Sequence, residues 1–343
     1  MLPEKLVIHP EISVLLNNFF KNTPYSKIGV LIDSNTKKSC YGLIESMLPP
    51  HSLIEVKSGE EFKTLNTCIE VWQQLTEHQF DRHGVLLILG GGVLGDLGGF
   101  CAATFKRGID FILVPTTLLA QVDASIGGKL GIDFLQYKNH IGIFQEPVST
   151  LISSSFLKTL PERELRSGFA EVIKHCLISD QRMWDQIRKH ALKDQDWNTL
   201  IKHSAEFKLS VIQQDPKEKH VRKILNFGHT IGHAVESYFL DKPVRLFHGE
   251  AIAVGMICES HIAFKKGIVK KEQLDQISGF IIEIFGKVDV PTIQPLVAIM
   301  AQDKKNKGNK VLVALIEGIG KGVWDIEVSE SEAENALSYY ESL

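Results

Sequence analysis

The chain has 343 residues, 44% of them hydrophobic and 23% charged, a balance that excludes collagen-like, disordered and coiled-coil proteins. At roughly 100 to 200 residues per domain, that length predicts two domains, each able to bury a core. Lys and Arg number 38 against 41 Asp and Glu, so the net charge is −3, which excludes a nucleic-acid binder that works through a basic surface and leaves any anionic ligand to a local cluster of cations.

The opening residues, Met1-Leu-Pro-Glu-Lys5, carry charge and a proline where a secretory signal needs an apolar run. Strands are predicted at Lys27–Asp33, Ser52–Val56, Val85–Leu89 and Asp110–Val114, with a helix over Leu65–Glu77 between the second and third. That alternation predicts a parallel α/β sheet. The longest apolar region, Gly84 to Phe105, is crowded with glycine and broken by Asp96, so it fails as a membrane span. Beyond Pro161-Glu-Arg-Glu164 the apolar spacing lengthens to about 3.6 over Glu164–Ser179, Trp197–Gln214 and His248–Lys265, with few strand signals. The expected architecture is an α/β domain over residues 1–160 and a helical domain over 161–343. The five cysteines, Cys40, Cys68, Cys101, Cys176 and Cys258, are scattered, with no C-x-x-C pair. They predict a reducing compartment, and the chain reads as a cytoplasmic protein that engages neither membrane nor nucleic acid.

Gly90-Gly-Gly-Val-Leu-Gly-Asp-Leu-Gly-Gly99 directly follows the strand Val85–Leu89. Glycines there let the backbone come close to a diphosphate met by the free N–H groups of the next helix, although glycine runs also serve as plain turns and close helix contacts. Asp33-Ser-Asn35, Glu60-Glu-Phe-Lys63 and Thr116-Thr117 also follow strands. Each alone reads as a helix cap or turn, and only their joint presence points to further nucleotide contacts. In Asn226-Phe-Gly-His229-Thr-Ile-Gly-His233-Ala-Val-Glu236 two imidazoles lie four residues apart, on one face if the segment is helical. The glutamate that a zinc peptidase carries after its first histidine is absent, so that reading fails. Glu171 and His248 are further candidate ligands. One carboxylate and two imidazoles make a catalytic zinc set with an open position, and spacing does not settle which two imidazoles bind.

Taken together, these stretches resemble the 3-dehydroquinate synthase family. The match includes Gly90-Gly-Gly-Val-Leu-Gly-Asp96, Pro115-Thr-Thr-Leu-Leu-Ala-Gln-Val-Asp-Ala-Ser-Ile-Gly-Gly-Lys129, Lys138-Asn-His-Ile-Gly142, Gly168-Phe-Ala-Glu-Val-Ile-Lys174, Arg222 through His233, His248-Gly-Glu250 and Asp303-Lys-Lys305. The resemblance implies a Rossmann-like NAD-binding domain followed by a helical metal-binding domain, with the active site in the cleft between them. It makes Glu171, His229 and His248 the metal ligands, for zinc or cobalt, and moves His233 to the substrate side. Its NAD contacts fall on Asp33, Asn35, Glu60, Lys63, Gly91, Gly92, Asp96, Thr116, Thr117, Lys129, Lys138, Phe156, Thr159 and Glu164. Its substrate pocket falls on Arg107, Asp123, Lys129, Asn139, Lys174, Lys208, Arg222, Asn226, His233 and Lys304, with Arg107 coming from a second subunit or a loop. The implied substrate is a phosphorylated sugar acid, 3-deoxy-D-arabino-heptulosonate 7-phosphate, whose phosphate and carboxylate need those cations. The implied reaction oxidises C5 with NAD, eliminates phosphate, returns the hydride and closes the ring, with no net oxidation. The resemblance also implies a homodimer. Other sugar-phosphate cyclases and a metal-dependent polyol dehydrogenase are the alternatives. Pro216, Asp133 and the run Phe239 to Leu246 depart from the family pattern and put local loop geometry in question.

Overall fold

The computed structural model describes residues 5–21, 23–135, 137–240, 242–290, 295–296, 299–300 and 311–343. They form two compact units: Met1–Leu165 with Trp197–Leu209, and Arg166–Asp196 with Ser210–Leu343. A stretch well beyond residue 160 thus returns to the first unit, which no single boundary describes. Among the described residues no helix is long and apolar enough to cross a membrane.

The first unit is built on six parallel strands, β1 (Leu6–Ile8), β2 (Ile28–Asp33), β3 (Ser52–Val56), β4 (Val85–Gly90), β5 (Asp110–Pro115) and β8 (Ser149–Ile152), in the order β1-β8-β5-β4-β2-β3. β4 is buried along its whole length, as an apolar run must be when both faces of a sheet are covered. Its side chains alternate. Leu86 and Ile88 join a core with Cys68, Val71 and Leu75 of α3 (Leu65–Glu77) and Leu94, Leu97 and Cys101 of α4 (Gly92–Thr104). Val85, Leu87 and Leu89 join the opposite core with Ile12, Leu15 and Leu16 of α1 (Ile12–Lys21). From β2 the chain steps outward to β3 and then crosses back to β4 on the other side of β2, which opens a switch point at the carboxyl ends of β2 and β4. The short α2 (Ser34–Ser39) follows β2.

Each predicted strand is present to within one residue at its ends, and the helix Leu65–Glu77 is present as predicted. An antiparallel hairpin, β6 (Lys129–Phe134) with β7 (Tyr137–Phe144), lies in motif sequence that periodicity left unassigned.

The second unit is mainly helical: α5 (Glu162–Ser179, from Arg166 on), α6 (Gln181–Ile187), the end of α7 (Trp197–Gln214), α8 (His229–Phe239), α9 (His248–Lys265), α10 (Lys271–Phe285) and α11 (Glu330–Ser342). Apolar on nearly every side, α9 is the central element, buried from Ala251 through Ala263. The expectation of a purely helical second half needs correcting. β9 (Val311–Ile316) and β10 (Gly322–Val328) form an antiparallel hairpin there. The six-residue apolar run Val311–Ile316 is too short for periodicity to distinguish strand from buried helix.

Candidate functional site

In the second unit three side chains converge. Glu171, on α5, is fully buried, and its Oε1 lies 3.5 Å from His229 Nε2 and 3.4 Å from His248 Nε2. Donor atoms on a tetrahedral zinc ion with bonds of about 2.1 Å stand about 3.4 Å apart, so this spacing fits such an ion. Neither Glu171 oxygen accepts a hydrogen bond of regular geometry, although the Lys174 ammonium touches Oε2. A buried carboxylate left this way suits a cation.

Local sequence explains the convergence. His229 is the first residue of α8, behind Gly228 at φ +78°, and its Nδ1 donates to the Phe227 carbonyl at 3.1 Å, which leaves Nε2 as the ligand atom. His248 opens α9, whose start is capped by Glu250 accepting from the Phe247 amide at 2.8 Å. A Cβ at Gly249 would lie 2.0 Å from the Ser167 carbonyl oxygen, so only glycine lets α9 begin against α5 one turn before Glu171.

The three groups shift one another's titration. Burial pushes the Glu171 carboxyl up, but Lys174, His229 and His248 outweigh it and hold it well below the usual carboxylate range. Burial, helped by Lys174, lowers His229 well below 6.5, so its imidazole is neutral. Burial also lowers His248, yet the neighbouring Glu171 and Glu236 carboxylates prevail and raise it to about 9, so an ion that binds there displaces a proton. The His233 ring lies 5.0 Å from His229 and 6.0 Å from His248. His233, Glu236 and His248 form a second close group. The His248 nitrogen that faces Glu236, at 3.2 Å, is Nδ1, whereas Nε2 faces Glu171, so Glu236 is the partner of a ligand and not its rival. Nearby, the backbone amides of Lys219, His220 and Arg222 donate to Asp215. Arg222 donates from its guanidinium to the Pro216 carbonyl at 2.9 Å, and Asn226 donates to Glu218 at 2.9 Å. A proline at 216 therefore still serves Arg222 through its backbone. Lys304 lies outside the described residues.

In the first unit the expected NAD residues gather at the carboxyl edge of the sheet. Gly91 caps α4 with no side-chain hydrogen bond, which leaves the amides of its first turn for an anion. Gly91, Gly92, Asp96 and Lys129 line one depression, and Thr117 stands against Gly91. The glycine run divides its labour, since a Cβ at Gly98 would lie 2.6 Å from Leu31 and one at Gly99 2.5 Å from Leu130. Those two glycines serve packing. Lys63, buried, bonds Asp96 and Asn139, both at 2.6 Å. Burial raises the Asp96 carboxyl more than Lys63 lowers it. Lys138 approaches Glu60 at 3.8 Å, and Thr116 donates its amide to Gly90 at 3.1 Å. Asp133 accepts the Asn139 amide at 2.7 Å, so this departure from the family pattern supports the hairpin. Lys208 bonds the Asp123 carboxylate at 2.7 Å and its carbonyl at 2.6 Å, which ties α7 to the loop after β5.

Other expected residues lie around this edge: Asp33 ends β2 and lines a second depression with Gly59 and Val93, and Thr159 and Thr116 both approach the Cys40 thiol. Asp33 caps α2 by accepting from the Thr36 amide at 2.8 Å, with Asn35 exposed in the first turn. Phe156 is fully buried in the core, and Thr159 bonds its carbonyl at 3.2 Å. Glu164 sits in the first turn of α5. Arg107 is exposed at φ +69° beyond the far end of α4, about 20 Å along that helix from Gly91. It is not brought to the other cations of its unit. Sequence reasoning missed Glu218, Glu236 and Glu259. Glu236 falls seven residues after His229, a spacing that keeps it on the same helical face.

Comparison with known proteins divides the chain once, two residues past the start of the second unit. The model of the 3-dehydroquinate synthase N-terminal region matches residues 53–167, and that of the C-terminal region matches residues 168–306. The 3-dehydroquinate synthase of Parabacteroides distasonis is 35% identical over 347 residues, covering 99% of this chain and 98% of its own. That of Rippkaea orientalis is 39% identical over 318 residues, covering 89% and 83%. Among solved structures, 2-epi-5-epi-valiolone synthase from Streptomyces hygroscopicus, with NAD+ and Zn2+ bound, superposes at a TM-score of 0.86 with 27% identity over 100% of this chain and 98% of that one. A probable glycerol dehydrogenase from Sinorhizobium meliloti, 14% identical with a TM-score of 0.64 over 99% and 97%, shares the fold.

Proposed function

The chain belongs to the 3-dehydroquinate synthase family, and from that premise we propose how its own residues carry out the reaction. It is an enzyme that converts 3-deoxy-D-arabino-heptulosonate 7-phosphate to 3-dehydroquinate and phosphate, using NAD and a divalent metal ion. When bound, NAD takes up and returns one hydride and the ion acts as a Lewis acid on the hydroxyl at the same carbon, so neither is consumed.

Glu171, His229 and His248 hold the ion and leave a position open for substrate. The observation that carries this ligand set is the 3.4 and 3.5 Å spacing of the two Nε2 atoms from Glu171 Oε1. Gly91 and Gly92 present amides to the cofactor diphosphate, and Lys63 and Asp96 stiffen the wall beside it. Lys129, Lys174, Lys208 and Arg222 are the cations for phosphate and carboxylate. Arg222 and Lys208 are held ready, the one by Pro216 and Asp215, the other by Asp123. His233, beside both ligand imidazoles, and Asn226, fixed by Glu218, form the hydrogen-bond relay around the C5 oxygen, in which only the imidazole can take up a proton. The reading extends to a homodimer in the cytoplasm, which light scattering on the purified protein tests for oligomeric state.

The decisive assay supplies NAD, zinc and the heptulosonate phosphate. Phosphate release in step with dehydroquinate, with flat NADH absorbance, is the expected result. Steady NADH growth on glycerol would establish a polyol dehydrogenase instead, and turnover only of a heptulose phosphate lacking the carboxylate would establish a different cyclase.

A further inference from the structure

The two candidate histidine ligands stand on neighbouring helices that touch through their backbones. A Cβ at Gly255 of α9 would lie 1.9 Å from the Gly228 carbonyl oxygen, at the start of α8. Each helix also sends a carboxylate to the histidine end of the other. From α8, two turns past His229, Glu236 places Oε2 3.2 Å from His248 Nδ1. From α9, one turn past Gly255, the fully buried Glu259 accepts the amides of Gly228 at 2.5 Å, Thr230 at 3.1 Å and Ile231 at 3.2 Å. These amides flank His229. No side chain of the Gly228 cap itself satisfies them, and a helix N-terminus favours a negative charge.

We propose that Glu236 and Glu259 are positioning residues of the metal centre, each fixing the histidine borne by the opposite helix so that both Nε2 atoms point at Glu171 before an ion arrives. The inference rests on Glu171, His229 and His248 being the ligands. The Glu236 contact orients the His248 ring and strengthens it as a donor, and partners of this kind are worth about 10- to 100-fold in metal affinity. Glu259 acts one step further back. It fixes the first turn of α8, and with it both the His229 backbone and the Phe227 carbonyl that His229 Nδ1 bonds.

The test measures zinc dissociation constants by competition with a chromophoric chelator, together with the visible spectrum of the Co2+-loaded protein, for the wild type, Glu171→Gln, Glu236→Gln and Glu259→Gln. The expected result is zinc binding weakened about 10- to 100-fold in each of the last two variants, with shifted Co2+ bands and native circular dichroism. In the double variant the two losses multiply, because each carboxylate serves a different histidine. Wild-type affinity and an unshifted Co2+ spectrum in Glu236→Gln and Glu259→Gln, with binding lost in Glu171→Gln, would overturn this inference alone. Unchanged affinity in Glu171→Gln would overturn the ligand set beneath it. A Glu259→Gln chain that does not fold overturns the Glu259 half by making that residue structural, and Glu236→Gln decides the other half.

Discussion

The amide of Gly249 donates to Ser167 Oγ at 3.0 Å, and this bond joins the helix that opens with His248 to the helix that carries Glu171. The two backbones are so close there that a methyl group at 249 has no room.

Gly249→Ala is therefore expected to lose metal and stability together. Relieving a contact of 2.0 Å requires α9 to move off α5, at a cost of about 3 kcal/mol or more, and the movement separates His248 from Glu171. Ser167→Ala removes one hydrogen bond for about 1 kcal/mol and leaves the backbones in place, so metal stays bound. Metal analysis and thermal melts of both variants check this, and a Gly249→Ala protein with full metal content would refute it.

Lys63 and Asp96 form a second linked pair, at 2.6 Å and with the lysine almost wholly buried. Asp96→Asn alone leaves a buried cation whose remaining partner, Asn139, is neutral, at a cost of about 3 kcal/mol. Adding Lys63→Met should recover much of that loss. A denaturant double-mutant cycle is expected to give a coupling above about 1 kcal/mol, and additive effects would mean that the pair is loosely held. NAD affinity, measured alongside, is expected to fall in all three variants.

The sheet was legible in the sequence because Val85–Leu89 and Phe111–Val114 are unbroken apolar runs, and α9 because its apolar stretch is too long for a strand. The hairpin Lys129–Phe144 was not, since its outer face exposes Phe134, Tyr137 and Phe144 and its pattern matches no single-face strand. Composition likewise hides Glu259. A glutamate inside an apolar helix reads as an exposed position, and only the three-dimensional meeting with the start of α8 explains its burial. Arg107 shows the opposite limit, because the resemblance names it while α4 holds it about 20 Å along the helix from Gly91. The two-histidine spacing drew attention to His229 and His233, whereas Glu171 and His248 reach the centre through contacts between helices that no local period records.

His261 sets a pH dependence of its own. Its ring stacks on Tyr339 at 4.4 Å, and burial first, then Lys265 on its own helix and Lys271 at the start of α10, hold it below its usual 6.5; Tyr339 and Glu332 face it from α11. The unfolded chain takes up this proton more readily, so the stabilisation is complete above pH 6.5 and is lost as pH falls through that value toward the folded-state pKa. Urea midpoints of wild type and His261→Gln across pH 5 to 8 are expected to converge at the acid end, with the variant showing the flatter profile. Parallel profiles would mean that His261 does not titrate differently on folding.

Lys174 offers the sharpest test of charge balance at the metal centre. It is 1% exposed and touches Glu171, so in the metal-free protein it is the largest of the positive influences that offset a buried carboxylate. Lys174→Met keeps most of the volume and removes that charge, which should destabilise the metal-free protein by about 3 kcal/mol. A divalent ion then replaces the missing cation and no longer meets a repelling ammonium. Zinc is expected to bind the variant more tightly than the wild type and to raise its melting temperature by more. If Lys174 also serves the substrate, KM for the heptulosonate phosphate rises while NAD binding holds. Weaker zinc binding in Lys174→Met would show instead that the lysine orients Glu171, and an equal loss of NAD and substrate affinity would remove it from the substrate pocket.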